Sequence, residues 1–467
     1  MNIPVDQKAE EGGAVCLEPP LMRRPFSERT DWQSFALTAL AALAVYLYCA
    51  APEVTLENSG MLASAAMYGG VGNPPGYPVW CIYSWFFIKL VPFSNIAWRV
   101  GVGSAVAASL TCGLVAFMVS QGSGRMIRGI WSLEERDVKE ARLLRIAAGF
   151  VAGIAFGFDS VFWETVGIIE VWPLTLLSFA VVVCLLLRWQ HAPEQRRYLY
   201  AACFTYGLAL CNSEALVVAL FGFELFVLFT NPAIGRDLLL VTILVIAAVL
   251  LVVRIESIQV HDLRSVFVWC GFFAALVAGV LVVVAGAAFT EWRIILACGA
   301  FLTLGLLPYL YLPIASMTNP PMNWGYPRTV EGFIHVLARG QYARVQTVES
   351  FWQYFVQMVV YAKQTAKNFG VIYMALALVP FWFVRRVEAS ERRLMFGLSG
   401  IFMFVCFFWV AMLNFFNDRA AINLYKEFFA PSHLILAIWA GYGLVLVGMR
   451  VVGAKIRVGI GEEIQSE

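Results

Sequence analysis

The sequence predicts an all-α, polytopic membrane protein with about 12 spanning helices. Three observations carry this. The 467 residues are 60% hydrophobic and only 14% charged, where a soluble domain is about half apolar and about a quarter charged. The apolar residues fall in long runs. Arg and Lys gather in a few short segments between those runs, as they do in cytoplasmic loops.

Taken in order, the first ~32 residues form a polar tail containing Pro19, Pro20, Arg23, Arg24 and Arg29. The tail has neither an early apolar core nor a small-residue cleavage site, so it is expected to be a flexible cytoplasmic segment rather than a cleaved signal. The predicted spans are Phe35–Ala51, Trp98–Ser120, Ile146–Phe158, Val171–Leu187, Leu199–Leu210, Leu216–Thr230, Leu238–Val253, Val266–Phe289, Ile294–Pro313, Val371–Val384, Leu394–Leu413 and Phe428–Met449. Val79–Val91, between Pro78 and Pro92, is only about 13 residues long and too short to span. Charge parity makes it a helix lying at the outer face. The N-terminal tail and the Arg125–Arg145 loop then share one side, as do Arg188/Arg196/Arg197, Arg385/Arg386/Arg392/Arg393 and Arg450/Lys455/Arg457. Arg254 and Arg264 fall on the other side and break the pattern. The expected organisation is a tail at 1–32, a membrane domain at 33–450 and a second cytoplasmic tail at 451–467. The expectation is a multi-pass protein, of a bacterial inner membrane, with both termini inside.

The same scheme collects the polar segments on the non-cytoplasmic face. The first, Glu53–Tyr83, carries no Lys or Arg and passes through Asn73-Pro74-Pro75-Gly76-Tyr77-Pro78. Its Glu57 lies just beyond the first span. A partly desolvated carboxylate there has the raised proton affinity of a general base, whereas Glu53 reads as a boundary charge. Glu164, Glu170 and Glu214 lie on two further outer turns. Glu170 opens an apolar run, where a helix dipole stabilises an acid, so a capping role and a substrate-binding role stay open. Arg328, Arg339, Arg344, Arg419 and Lys426 are the cations on that face. Each fits a solvated surface charge. Together, opposite an acidic loop, they fit a phosphate grip. A loose echo joins Asn73-Pro74-Pro75-Gly76-Tyr77-Pro78 to Asn319-Pro320-Pro321 and Gly325-Tyr326-Pro327.

Several functions are disfavoured. The ten cysteines are scattered, mostly in apolar runs, without a CxxC pair, which argues against zinc or redox chemistry. The four histidines do not cluster in sequence, and P-loop, GxSxG and HExxH patterns are missing, which removes the sequence support for ATP hydrolysis and metalloprotease chemistry. The outer loops hold no Asp-x-Asp pair, so no metal or other cofactor is expected. A net charge of +2 with no basic patch gives no footing for nucleic acid.

From Ser59-Gly60 through NPPGYP to Ala97-Trp98-Arg99 the chain resembles the protein O-mannosyltransferase-like family (domain of unknown function 2723) of the GT-C superfamily of membrane glycosyltransferases. The resemblance extends over nearly all of Ser34–Arg450. Supporting matches are Phe162-Trp163…Glu170-Val171, Trp324-Gly325, Arg339-Gly340-Gln341-Tyr342, Asp418-Arg419 and Pro431-Ser432-His433. It implies a GT-C-like fold and an inverting transfer of a mannose-like sugar from a polyprenyl-phosphate carrier. The acceptor is a hydroxyl of an exported protein or glycan, on the non-cytoplasmic face. Glu57 holds the position of the base. Asn58, Asn73, Tyr77, Glu170, Arg339, Gln341, Tyr342, Arg419 and Lys426 are the expected substrate contacts. The chain departs from the family box at Asn58 (usually Asp), Met61 (Glu) and Asn73 (His), and an amide is no carboxylate base. Either Glu57 has taken over, or the protein is a silent relative that binds lipid-linked sugar. A lipid or solute transporter is the other alternative, since many spans with Pro/Gly interruptions suit one.

Overall fold

The computed structural model describes residues 25–453 except 57, 132–134, 256–270, 272–273, 285, 340–347, 349, 414–421 and 424. Most of both expected tails therefore lies outside the described residues. The regular structure of the described residues is helical, and a parallel bridge joins Val71 to Asn323.

The first half runs α1 (Arg29–Cys49), α2 (Ser59–Tyr68), α3 (Pro78–Leu90), α4 (Ile96–Ile130), α5 (Glu135–Gly157), α6 (Ser160–Val166), α7 (Trp172–His191), α8 (Arg197–Asn212), α9 (Ala219–Thr230) and α10 (Pro232–Ile255). Its later helices include Trp292–Leu306, Val330–Leu337, Phe351–Thr365, Val371–Trp382, Ala389–Phe402 and Ala430–Val451. The main core is formed by α1, α4, α5, α7 and the last helix, with Phe156, Phe162, Trp189 and Tyr442 fully enclosed. Without a hydrophobic drive between helices in lipid, close backbone approach supplies the contact. Gly149, Gly153 and Gly157 line one face of α5, and a Cβ at Gly153 would sit 2.5 Å from the Cys112 carbonyl oxygen of α4. The Tyr46 hydroxyl of α1 donates to the Gly157 carbonyl at 2.8 Å.

Among the described residues, six helices are long and apolar enough to cross a membrane: Arg29–Cys49, Ile96–Ile130, Trp172–His191, Trp292–Met317, Ala389–Leu413 and Lys426–Val451. A seventh is obtained if Val138–Gly157 and Ser160–Val166, bent by 69°, form one span. The expected GT-C-like set of about 12 spans is corrected by this count. The reason is continuity. Hydropathy counts apolar residues, but several runs sit in helices too short to cross about 30 Å of hydrocarbon. Leu199–Leu210 lies in a helix of 16 residues, which rises about 24 Å. Leu216–Thr230 is split by a 3-10 turn at Glu214–Val218, leaving 12 α-helical residues. Val371–Val384 forms a 12-residue helix with Pro380 inside it. Pro78–Leu90, expected to lie at a face, is a 13-residue helix packed on α2 and α4.

The end of the bundle where α1 begins is tied by charge. Arg145 of α5 donates to Asp31 Oδ1 and Glu28 Oε2, each at 2.7 Å, and to the Ser120 carbonyl at 2.9 Å. Ser120 Oγ reaches the same Asp31 oxygen at 2.6 Å. Asp31 is 1% exposed, and this guanidinium is its ion-pair partner. Burial raises the pKa of Glu28, but Arg145 and Arg128 outweigh it and hold the carboxyl below its ordinary 4.5.

Arg145→Met removes the ion-pair partner of the buried Asp31, with an expected loss of about 3–5 kcal/mol, read as a drop in unfolding temperature in detergent. Because the folded pKa of Glu28 is depressed, its contribution is present above pH 4.5 and lost as pH falls through the lowered value. The acid limb of the stability profile should flatten in Glu28→Gln.

Candidate active site

At the end of the bundle where α1 finishes, the chain from Gly69 to Pro78 forms a compact turn. Gly69 closes α2 in the left-handed region at φ 61. Val71 then joins the 319–326 loop: its N–H donates to the Met322 carbonyl at 2.9 Å, and Trp324 N–H donates to the Val71 carbonyl at 3.1 Å. The Tyr311 hydroxyl donates to the Gly70 carbonyl at 3.0 Å. A Cβ at Gly70 would collide with the Met322 carbonyl oxygen, so only glycine allows this approach. The Pro74–Pro75 bond is cis, and Gly76 N–H returns to the Asn73 carbonyl at 2.8 Å. Tyr77 sits at φ 46 immediately before Pro78, which begins α3. A bulky residue in that region is uncommon and is held there by its surroundings. The echo in the other loop repeats the geometry, with Gly325 at φ 68 and Tyr326 at φ 46.

This turn packs on Glu170. Trp80 of α3 donates its indole N–H to the Glu170 carbonyl at 3.1 Å, and the buried Glu170 carboxylate accepts from Val171 N–H at 3.0 Å. Tyr77 and Trp80 pack with Ile169, Val171 and Trp172, the residues around Glu170, and Asn73 is buried in the turn that leads to Tyr77. Asn58 lies at the start of α2, exposed, with no side-chain bond to the helix. The cations approach from later segments. Lys426 pairs with Glu164 and Arg339 pairs with Glu214. Burial raises the pKa of Glu214 above its ordinary 4.5, and Arg339 offsets part of that. Lys426 begins a 3-10 turn whose Phe428 meets Trp172 edge-on at 5.5 Å, so it lies near the Glu170 segment. Arg328 donates to Asn319 Oδ1 at 2.6 Å. Glu57, Gln341, Tyr342, Arg344 and Arg419 lie outside the described residues.

One buried polar cluster was not read from the sequence. His433, at the start of the last helix, places Nδ1 2.9 Å from Asp159 Oδ2 and Nε2 3.3 Å from Thr365 Oγ1. Asp159 and His433 are 1% and 2% exposed. Beside them is a cavity of about 30 Å³, lined in part by Gln364, Asn368, Tyr425 and Lys426. It has room for a water and little else. The four histidines are indeed far apart in the chain, but His433 finds its carboxylate across 274 residues. The sequence offers Pro431-Ser432-His433 only as a family match and names no partner for it.

Comparison with known proteins bears on these segments. Residues 58–236 match the family described as Protein O-mannosyl-transferase TMEM260 N-terminal domain. The chain is distantly related to the O-mannosyl-transferase TMEM260 proteins. It is 24% identical to the mouse Protein O-mannosyl-transferase TMEM260 over 435 residues, covering 90% of this chain and 51% of that protein. It is 21% identical to the Dictyostelium discoideum protein of the same name over 425 residues, covering 87% and 44%. The chain thus spans about half the length of the curated relatives it matches. Among solved structures it is similar to ArnT from Cupriavidus metallidurans bound to undecaprenyl phosphate, at TM-score 0.47 and 14% identity, over 91% of this chain and 64% of that one. That likeness is too loose to carry an argument.

His433→Ala removes a partner from the buried Asp159 carboxylate, with an expected loss of about 1–3 kcal/mol. His433→Asn, which keeps a donor, should lose less; unfolding temperatures of the two variants decide it.

Proposed function

We propose that this protein is a membrane glycosyltransferase that moves a mannose-like sugar from a polyprenyl-phosphate carrier to a hydroxyl of an exported protein or glycan. The observation that carries the reading is the match of residues 58–236 to the O-mannosyl-transferase TMEM260 N-terminal domain. That segment contains the Gly70–Pro78 turn, Glu164 and Glu170. The packing of Tyr77 on the residues around Glu170, with Lys426 paired to Glu164, supports it. Both termini are assigned to the cytoplasm, and the site to the opposite face.

The chemistry follows from the residue types. The Glu57 carboxylate takes the proton of the acceptor hydroxyl. The acceptor oxygen attacks the anomeric carbon from the side opposite the carrier phosphate. The carbon–oxygen bond to that phosphate breaks, its electron pair stays on the polyprenyl phosphate, and the anomeric configuration inverts. The leaving phosphate needs cations, for which Arg339, Arg419 and Lys426 are assigned. Lys426 and Arg339 then exchange a carboxylate partner for the phosphate. Asn58, Asn73, Tyr77, Glu170, Gln341 and Tyr342 shape the sugar and carrier pocket. A second reading, a silent relative that binds the lipid-linked sugar, is favoured by Asn58, Met61 and Asn73 standing where the family carries ionisable groups.

The deciding experiment incubates the purified full chain with radiolabelled polyprenyl-phosphate sugars. Label is expected to transfer, and Glu57→Gln is expected to slow transfer by about 10²–10⁴-fold. An unchanged rate removes Glu57 as the base. Carrier binding without any transfer by the unaltered protein selects the silent reading.

A further inference from the structure

We propose that the hollow over the 319–326 loop binds a saccharide ring, and that the acceptor is therefore a glycan rather than a polypeptide hydroxyl. The acceptor role rests on the glycosyltransferase reading; the binding itself does not. The hollow measures about 510 Å³ and is lined by Asn319 through Tyr326, within the size range of small-molecule sites, about 300–1,000 Å³. Trp324 and Tyr326 leave 38% and 58% of their surface exposed. Asn319 and Asn323 add amide groups to the same lining. A pyranose is the complement of this set. Its faces carry C–H bonds that pack on aromatic rings, and its edge carries hydroxyls that pair with amides and backbone carbonyls.

The hollow is built before any ligand arrives. Arg328 closes the loop by donating to Asn319 Oδ1 at 2.6 Å and stands 5.5 Å from the Tyr326 ring centroid. Asn323 donates its amide to the Ser316 carbonyl at 3.1 Å. Behind the loop, a Cβ at Gly325 would lie 2.5 Å from Val336 Cγ2, so Val330–Leu337 packs directly against the turn. A preformed site loses little freedom on binding. The hollow also has a fixed relation to the candidate active site, because Trp324 N–H and the Met322 carbonyl both bond to Val71. A sugar stacked on Trp324 is held one backbone bridge from the Gly70–Pro78 turn. Neither Arg339 nor Lys426 lines the hollow.

The test uses the purified full chain in a non-glycosidic detergent, with mannotriose as the probe and saturation-transfer NMR as the readout. Saturation is expected to reach the probe's ring protons. Trp324→Ala is expected to weaken binding at least about tenfold, Tyr326→Ala less, and Trp324→Phe to keep most of it. Both side chains are exposed and the bridge to Val71 uses only backbone, so the variants keep the fold. Glu57→Gln should bind as the unaltered protein does. No saturation transfer to mannotriose, or equal binding by Trp324→Ala, overturns the site. Transfer to a peptide acceptor with an unchanged KM in Trp324→Ala overturns the glycan-acceptor role. Loss of all transfer activity with mannotriose binding intact strikes the glycosyltransferase reading and leaves the saccharide site standing.

Discussion

Two backbone hydrogen bonds, Val71 N–H to Met322 and Trp324 N–H to Val71, join segments from the two halves of the chain. They depend on Gly70, since any side chain there would strike the Met322 carbonyl. Around this bridge both Gly-Tyr-Pro turns adopt left-handed backbone that bulky residues avoid, Tyr77 and Tyr326 each at φ 46. Neither turn is stable by local preference. Each is held by what it packs against: Tyr77 within the cluster of Trp80, Ile169 and Trp172, and Gly325 against Val336. The candidate active site and the saccharide hollow share this joint.

Two buried polar clusters lie at opposite ends of the bundle. Asp31 with Arg145 and Ser120 ties α1, α4 and α5 where α1 begins. Asp159 with His433 and Thr365 ties the α5–α6 bend to the last helix at the other end. An isolated charge in such surroundings is costly, while a paired one is tolerated and fixes helix register. Between them much of the helix contact is apolar, with small residues letting backbones meet. A bundle pinned this way can hold the Gly70–Pro78 turn still.

The span count shows what hydropathy measures. Apolar runs near residues 199–210, 216–230 and 371–384 satisfy composition, yet the helices they form are short or interrupted. A 3-10 turn or an internal proline changes length along the membrane normal without changing how apolar the run is. Val79–Val91 was recognised as too short because Pro78 and Pro92 bracket it, a signal the other short runs lack.

The sequence by itself determined an all-helical membrane protein, the turn chemistry of the two Gly-Tyr-Pro loops, and the acids and cations worth examining. These are local properties: composition, period, and the backbone freedom of Gly and Pro. Partners were not legible. Lys426 finds Glu164, Arg339 finds Glu214 and His433 finds Asp159 across long stretches of chain, and nothing in a residue's neighbours in sequence encodes such a choice. The loose echo between the NPPGYP and NPP…GYP segments looked like repeated turn chemistry; tertiary packing alone brought the two segments into contact, because a hydrogen bond between distant backbones is made only once the helices that carry them are packed.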